Sequence, residues 1–289
     1  RGGLAMATVG ACAAFGGICG SSLATAATMC RVALPEMRAN RYDDRLACSV
    51  IAAGGTLGIL IPPSIIMSIY GLLTETSIGK LFIAALLPGV LATALYMGAV
   101  RWVVAFRPDH APPGPRLDWG ERLNALIQVW PVALLFLVVI GGIYLGWFSP
   151  TEGAAVGCIG ALIAGLLRRQ LDRAAIRETI VETANTTGMV YLILIGAMVF
   201  NAFLETSGLP QWLVGLVREW GATPLQVVII LVIFYIILGC FMDALSMVLL
   251  TIPVVFPLIK ALGIDPIWFG ILIVTVVEIG LITPPVGMN

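Results

Sequence analysis

Long apolar blocks separated by short polar segments dominate the sequence. A membrane-spanning helix needs about 20 mostly apolar residues, and membrane β-barrels show short alternating segments instead. The pattern therefore predicts an all-α, polytopic membrane protein. The blocks with a span-like length are 81–104, 125–147, 154–167, 187–203, 225–240 and 267–282.

Composition strengthens this prediction. The 289 residues are 60% hydrophobic and 11% charged, with a mean hydropathy of +1.02, whereas soluble domains carry roughly 25% charged residues. Such a charge fraction leaves too little polar surface for a soluble protein of this size. The chain begins at Arg1 and stops at Asn289 just after a Pro-Pro pair, so we interpret it as a fragment, lacking both ends, of a longer protein.

Positive charge is concentrated in three segments, 31–45, 101–122 and 168–177. The positive-inside rule places such segments in the cytoplasm. With the spans alternating in direction, 13 of the 16 Lys and Arg residues then face inward, and Lys80, Arg218 and Lys260 face outward. The charge pattern thus predicts one consistent topology.

Two stretches fit poorly as single spans. Residues 3–31 carry a glycine and serine cluster, and residues 225–260 are interrupted at 239–243 and again by Pro253 and Pro257. We predict that each stretch is a re-entrant hairpin. The first would turn at Gly20-Ser21-Ser22, and the second would turn at 239–243.

Each predicted hairpin is followed by an apolar helix with a glycine and a Pro-Pro pair, at 58–63 and at 280–285. Proline removes a backbone donor and disrupts the preceding turn, so both helices should unwind there. Free carbonyl groups at membrane depth must line a cavity or be buried in protein, and they suit a hard cation. A single proline commonly gives only a kink, but two matched breaks in opposite directions predict an inverted repeat with a transport site.

We therefore predict one transmembrane permease domain over 1–289 with three parts. Residues 1–73 form the first hairpin and broken helix, 74–224 form scaffold and connecting helices, and 225–289 form the second hairpin and broken helix.

Two acidic residues lie in apolar surroundings, and intramembrane carboxylates are commonly functional. Asp243 either stabilises a cation or caps the helix that follows it, and the sequence leaves both roles open. Glu278 is expected to have a structural role, as a hydrogen-bond partner of the broken backbone. The six cysteines form no CxxC pair and His110 is the only histidine, which predicts no cofactor and no zinc or haem site.

Four segments together resemble the large permease subunit (DctM type) of tripartite ATP-independent periplasmic (TRAP) transporters. They are 15–26 (FGGICGSSLATA), 58–64 (GILIPPS), 239–243 (GCFMD) and 280–287 (GLITPPVG). The resemblance covers the whole chain, and members of the family are longer at both ends. It implies a multi-pass protein of the bacterial inner membrane that transports and is not an enzyme.

The resemblance also implies partners and a mechanism. A small membrane subunit (DctQ type) would accompany the chain, and a periplasmic substrate-binding protein (DctP type) would deliver an organic acid, a C4-dicarboxylate or a sugar acid. Sodium would drive uptake as the only metal ion, and the hairpins and broken helices would move as an elevator against a scaffold.

Two sets of site residues are expected on the same basis. Those expected near sodium are Ser21, Ser22, Gly58, Ile61, Asp243, Gly280 and Thr283. Those expected near the substrate are Gly20, Pro62, Pro63, Ser64, Ser246, Pro284 and Pro285.

Two alternative functions remain open at this stage. A stand-alone sodium/carboxylate symporter of similar architecture would need no binding protein. A membrane-embedded enzyme would need a catalytic set such as Ser-His or paired aspartates. The single histidine in a polar loop and the isolated Asp243 argue against the enzyme.

Overall fold

The computed structural model describes residues 2–113, 119–168 and 171–284, and every regular element within them is helical. The prediction of an all-α polytopic membrane protein is therefore confirmed. The α-helices are α1 (Gly3–Cys19), α2 (Ser22–Ala39), α3 (Asp44–Leu60), α4 (Ile65–Thr74), α5 (Ile78–Phe106), α6 (Trp119–Tyr144), α7 (Pro150–Leu167), α8 (Arg173–Thr206), α9 (Leu209–Glu219), α10 (Pro224–Gly239), α11 (Ala244–Ala261) and α12 (Pro266–Leu281).

Within the described residues, five helical stretches are long and apolar enough to cross a membrane. They are Asp44–Thr74, Ile78–Phe106, Pro150–Leu167, Arg173–Thr206 and Ala244–Ala261. Helices α1, α10 and α12 are shorter but also apolar. Each apolar block predicted to span coincides with a helix, although α8 begins at Arg173 instead of 187, because the alanines, arginines and glutamates before 187 favour a helix.

The first hairpin consists of α1 and α2, and its turn lies at Gly20-Ser21 as predicted. Gly20 adopts a left-handed conformation with φ of 65°, which glycine accepts without steric cost. The Ser21 hydroxyl then accepts a hydrogen bond from the Ala24 amide and caps α2.

The second arm of this hairpin is longer than predicted. Helix α2 continues to Ala39 instead of ending at Arg31, because alanine, leucine, methionine and glutamate favour a helix. The first basic segment is therefore largely helical, with a connection of only residues 40–43 before α3. In the second basic segment, Pro108–His110 forms a 3-10 turn, which proline tolerates at its first position.

The first broken helix consists of α3 and α4, separated by residues 61–64. Residues 54–60 are buried without exception, and the helix ends at Leu60, just before the proline pair. Ser64 then begins α4 as its N-cap by accepting a hydrogen bond from the Met67 amide. The predicted break is thus confirmed, and the helix before it begins at Asp44.

The second hairpin consists of α10 and α11, joined by residues 240–243. The second broken helix is α12, which ends at Leu281 just before Thr283-Pro284. The predicted continuation of this helix after the proline pair lies outside the described residues. For both hairpins, re-entry into the membrane and the direction of each arm stay predictions.

Helix α9 was not predicted. The segment between 205 and 223 is not among the predicted apolar blocks, since it is polar at several positions and contains Pro210. Pro210 instead occupies the first turn of α9, where its missing N–H costs nothing. Helix α9 packs against α11.

The chain forms two compact units. The first contains Arg1–Pro115 and Glu205–Asn289, and therefore both hairpins and both broken helices. The second contains Arg116–Leu204, in which α6 packs against α7. The predicted division into 1–73, 74–224 and 225–289 stays a prediction.

Within the first unit, α4 packs against α11 and α12 and so joins the two repeats. The fully buried Tyr70 donates a hydrogen bond of 2.7 Å from its hydroxyl to the Pro266 carbonyl. A Cβ added at Gly270 would lie only 2.6 Å from the Tyr70 ring. The first broken helix therefore packs closely on the second one.

Candidate functional site: two hairpin tips on two helix breaks

The first hairpin meets the first broken helix through two glycines. A Cβ added at Gly16 in α1 would lie 2.5 Å from the Gly58 Cα and 2.9 Å from the Gly58 nitrogen. Real Cβ atoms do not approach backbone this closely, so the contact requires glycine at this position of α1. It brings the turn of the hairpin against the last turn of α3.

Two oxygen atoms of the hairpin lie against Gly58. A Cβ added there would lie 2.5 Å from the Thr25 hydroxyl oxygen and 2.7 Å from the Ser21 carbonyl oxygen. These two oxygens are already joined, because the buried Thr25 hydroxyl donates a 2.7 Å hydrogen bond to the Ser21 carbonyl. The buried Ser22 lies one turn away, with its carbonyl 3.3 Å from a Cβ added at Gly55.

The tip of the hairpin also contacts the break itself. The Gly20 carbonyl accepts a hydrogen bond of 3.4 Å from the Ile65 amide, and a Cβ added at Gly20 would lie 2.9 Å from the Pro63 carbonyl oxygen. Ser64, between these two residues of the break, is buried. Gly20 and Ser64, both expected near the substrate, therefore lie in one place.

Ile61 and Pro62 complete the first break. Ile61 is extended, with φ of −90° and ψ of 121°, and its side chain would lie 2.9 Å from a Cβ added at Gly89 of α5. Pro62 is buried, and the Pro62–Pro63 peptide bond is cis. Of the residues predicted in the first half, Ile61 thus has its side chain toward α5 and not toward the hairpin tip.

The second half repeats the glycine contact. A Cβ added at Gly239 would lie 2.9 Å from the Gly280 Cα, and one added at Gly280 would lie 2.8 Å from the Gly239 Cα. The Ile236 carbonyl oxygen would lie 3.2 Å from the same added atom at Gly280. Helix α10 thus packs on α12 as α1 packs on α3.

The tip of the second hairpin contacts the second break through a cysteine. The Cys240 thiol lies 3.4 Å from the Pro284 carbonyl oxygen and 3.2 Å from the Ile236 carbonyl oxygen, and its single S–H can donate to either. Pro284 itself is exposed. Pro285, the last residue predicted near the substrate, lies outside the described residues.

Asp243 is the N-cap of α11. Its Oδ2 atom accepts hydrogen bonds of 3.0 Å from the Leu245 amide and 3.1 Å from the Ser246 amide. The capping role, one of the two that the sequence left open, is confirmed, and cation binding by Asp243 stays a prediction. Ser246 lies half-buried in the first turn of α11.

Thr283 closes the end of α12. Its amide donates to the Gly280 carbonyl at 3.0 Å, and its hydroxyl donates to the Ile279 carbonyl at 2.6 Å. The hydroxyl proton is therefore used within the same turn, while the oxygen keeps lone pairs that can ligate a cation.

Glu278 differs from its predicted role. The side chain is buried, with 4% of its surface exposed, yet neither carboxyl oxygen has a hydrogen-bond partner among the described residues. The expected hydrogen bond to the broken backbone is therefore absent from this part of the chain. The prediction was wrong because a helical side chain is directed back along its own helix, away from the break that follows it.

Gly16, Thr25, Gly239 and Cys240 were not among the expected site residues, although their segments carry the family resemblance. Each of these residues contacts a partner more than thirty positions away in the chain. The one available signal was the small-residue composition of the first hairpin, since close approach of membrane helices selects for glycine and other small residues.

Comparison with known proteins finds, over the full length of the chain, the family that the sequence motifs resemble. Residues 1–289 match the family model described as "Tripartite ATP-independent periplasmic transporter, DctM component". The chain is 40% identical over 291 residues to the C4-dicarboxylate TRAP transporter large permease protein DctM of Pseudomonas aeruginosa, covering 100% of this chain and 67% of that protein.

Relatives named for other substrates match as well. The ectoine/5-hydroxyectoine large permease UehC of Ruegeria pomeroyi is 36% identical over 100% of this chain and 67% of its own. The sialic acid large permease SiaM of Vibrio cholerae is 34% identical over 95% of this chain and 64% of its own. The chain thus spans about two thirds of the length of these relatives.

All three relatives are transporter permeases and not enzymes, which excludes the membrane-embedded enzyme as an alternative. Their family, together with the helices long enough to span, also confirms a multi-pass location in the bacterial inner membrane. The chain belongs to the DctM family, the large permease component of tripartite ATP-independent periplasmic transporters.

Proposed function

We propose that this chain is the transport subunit of a sodium-coupled secondary transporter that takes up an organic acid. The observation that carries the proposal is the matched pair of glycine contacts, Gly16 on Gly58 and Gly239 on Gly280. In each pair a hairpin tip rests on the end of a helix that breaks at prolines. Irregular backbone at membrane depth is characteristic of substrate and ion sites in such transporters.

Sodium is proposed as the coupling ion because the contacts bring oxygen atoms to helix C-termini. The last carbonyl groups of a helix lack helical donors, and the C-terminal end of the helix dipole favours a cation. In the first half, the Ser21 carbonyl and Thr25 hydroxyl oxygens lie against the last turn of α3 beside Gly58. In the second half, Gly280 and Thr283 form the end of α12 and Asp243 lies at the hairpin tip.

The proposed substrate is an anion with carboxylate groups, such as a C4-dicarboxylate or a sugar acid. Helix N-termini favour anions, and α2, α4 and α11 all begin at a hairpin tip or a break, at Ser21, Ser64 and Asp243. The names of the relatives support this class in part, since one is a C4-dicarboxylate and another a sialic acid permease. We therefore propose that Gly20, Pro63 and Ser246, together with these three N-cap residues, contact the substrate.

An elevator mechanism and two partners complete the proposal. Both hairpins and both broken helices belong to one compact unit, and α6, α7 and most of α8 belong to the other, which supports a moving part and a scaffold. A small membrane subunit of DctQ type and a periplasmic binding protein of DctP type are proposed from the tripartite family.

The test is uptake into proteoliposomes that contain the complete system of this chain and its membrane partner. Radiolabelled organic acid is supplied with the binding protein, under an inward sodium gradient or with choline in its place. We expect uptake only with both sodium and the binding protein. Uptake with choline would contradict sodium coupling, and robust uptake without the binding protein would favour the stand-alone symporter.

A further inference from the structure

A groove lies between α6 and α7, within the second compact unit. Its volume is about 400 Å³, which falls in the range of about 300–1,000 Å³ that is typical of ligand pockets. On α6 the lining residues extend from Trp130 to Val138, and on α7 they extend from Val156 to Arg168. The helix rises about 12 Å over 130–138, so the groove follows the helix axes.

The polar side chains of the groove lie at one end. Helices α6 and α7 are joined by residues 145–149, and packed helices with so short a connection are antiparallel. A Cβ added at Gly160 would lie against the Leu135 side chain. Trp130 precedes Leu135 and Arg168 follows Gly160, so both lie on the same side of this contact. The other lining residues are apolar.

The end that holds Arg168 carries positive charge. Arg168 begins the third basic segment, 168–177, which the positive-inside rule places in the cytoplasm. Arg173 and Arg177 are exposed in the first turns of α8. Tryptophan is enriched where a membrane meets water, and Trp130 is exposed at the same end. The groove thus combines an apolar wall with a basic group at its predicted cytoplasmic end.

This combination fits a phospholipid. Leu134 and Ile163 line the groove and are each about half exposed, so the apolar wall is open to the acyl chains of a bilayer. The Arg168 guanidinium carries five N–H donors in a planar fork, which matches the oxygens of a phosphate group. Basic pockets between transmembrane helices on the cytoplasmic side bind anionic headgroups. An apolar helix of another subunit could cover the same wall, but it would not supply the anion that the basic end favours.

We propose that the groove between α6 and α7 binds an anionic phospholipid of the cytoplasmic leaflet, with an acyl chain along the apolar wall and the phosphate on the Arg168 guanidinium. The ligand class is a phospholipid of net negative charge, such as phosphatidylglycerol. This site is separate from the proposed ion and substrate sites, because those belong to the first unit.

The experiment measures equilibrium binding of radiolabelled phosphatidylglycerol to the purified membrane complex in detergent micelles, with phosphatidylcholine as the neutral comparison. We expect the wild type to prefer phosphatidylglycerol. Arg168→Gln removes the charge, so its affinity for phosphatidylglycerol should fall about tenfold and the preference should disappear. Arg101→Gln is the control, because Arg101 is exposed near the end of α5 and does not line the groove.

Ile163→Trp tests the apolar wall, because a larger side chain there would occupy the groove. We expect weaker binding of both lipids at this site. Ile159→Trp is the matched control on the same helix, since Ile159 is 58% exposed compared with 51% for Ile163 and lies outside the groove. If Ile163→Trp does not fold, Arg168→Gln decides the inference, because Arg168 is exposed at the end of α7.

Loss of the preference in Arg168→Gln, with both controls equal to the wild type, would support the lipid site. The inference is overturned if the wild type binds the two lipids equally, or if either groove variant binds phosphatidylglycerol like the wild type. It is also overturned if Ile163→Trp releases another membrane subunit and leaves lipid binding unchanged, because the groove would then hold a protein helix.

Discussion

The two hairpin-and-break repeats share one contact pattern but differ in charge. In both, a glycine of the first hairpin arm lies against a glycine in the last turn of the broken helix, Gly16 on Gly58 and Gly239 on Gly280. In both, a polar side chain caps the second arm of the hairpin. The cap is the neutral Ser21 in the first repeat and the acidic Asp243 in the second.

Buried polar groups follow the same division. The first repeat buries hydroxyl groups such as those of Ser22, Thr25 and Ser64, whereas the second buries the carboxyl group of Glu278. Neutral oxygens bind sodium by dipoles alone, and a carboxylate adds a full charge. The two repeats thus share their backbone contacts but differ in the charge of their buried polar groups. Substitutions can therefore test the contacts and the charge independently.

The largest effect is expected from placing a side chain in either glycine contact. Gly58→Ala would put its Cβ 2.5 Å from the Thr25 hydroxyl oxygen, and Gly280→Ala would put its Cβ 2.8 Å from the Gly239 Cα. Overpacking of this kind costs about 1–3 kcal/mol, so we expect sodium-driven uptake to fall by up to about 100-fold in each variant.

The matched control for this pair is Gly98→Ala in α5, where an added Cβ meets nothing within 4 Å. Its uptake should equal that of the wild type. If only one of the two contact variants loses uptake, the repeats are not functionally equivalent and the comparison fails.

A smaller effect is expected from restoring the helix at the first break. Pro62→Ala combined with Pro63→Ala returns two backbone donors and allows α3 to continue toward α4. Carbonyl groups that lack helical donors at the break would then accept hydrogen bonds within the continued helix. We expect sodium-dependent uptake to fall about tenfold, measured as the ratio of rates in sodium and choline, and an unchanged ratio would argue against an ion site at this break.

A third prediction concerns the hydroxyl group in the first repeat. Thr25→Val removes the hydroxyl hydrogen bond to the Ser21 carbonyl, which then keeps the Thr25 amide as its donor, and loss of one hydrogen bond costs about 0.5–1.5 kcal/mol. We expect lower thermal stability and a sodium affinity reduced several-fold, about fivefold, by ²²Na⁺ binding. Thr25→Ser retains the hydroxyl and should restore both properties, whereas equal losses in Ser and Val variants would assign Thr25 to packing alone.

The smallest effect is expected from exchanging the caps between repeats. Asp243→Ser places the cap of the first hairpin on the second, and the free energy of unfolding should change by less than about 0.5 kcal/mol. Asp243→Ala leaves the amides of Leu245 and Ser246 without their acceptor and should cost about 1 kcal/mol. Denaturant unfolding of the purified complex measures both, and similar losses for Ser and Ala would show that the cap geometry is not the reason for an acid there.

Much of this fold follows from local sequence features. The turn at Gly20-Ser21 and the break at Pro62-Pro63 result from the backbone properties of glycine and proline, which act within a few residues. The extension of α2 to Ala39 and the presence of α9 were not predicted, because helix propensity in polar segments is weak until packing supports it.

The candidate site was less accessible to sequence reasoning. The glycine contacts pair residues that are far apart in the chain. The Pro-Pro pairs that follow them single out Gly58 and Gly280, but no local pattern identifies their partners Gly16 and Gly239. The burial of Glu278 without a partner depends on several helices that pack around α12. No local pattern distinguishes such a carboxyl group from one that hydrogen-bonds to its own backbone.

The most direct measurement of the central account is the amount of ²²Na⁺ bound at saturation by the membrane complex carrying Gly58→Ala, Gly280→Ala or both. Each single variant should lose the ion of its own repeat and keep that of the other, and the double variant should bind none. Full sodium binding by the double variant, with Gly98→Ala equal to the wild type, would contradict the assignment of ion sites to the two hairpin contacts.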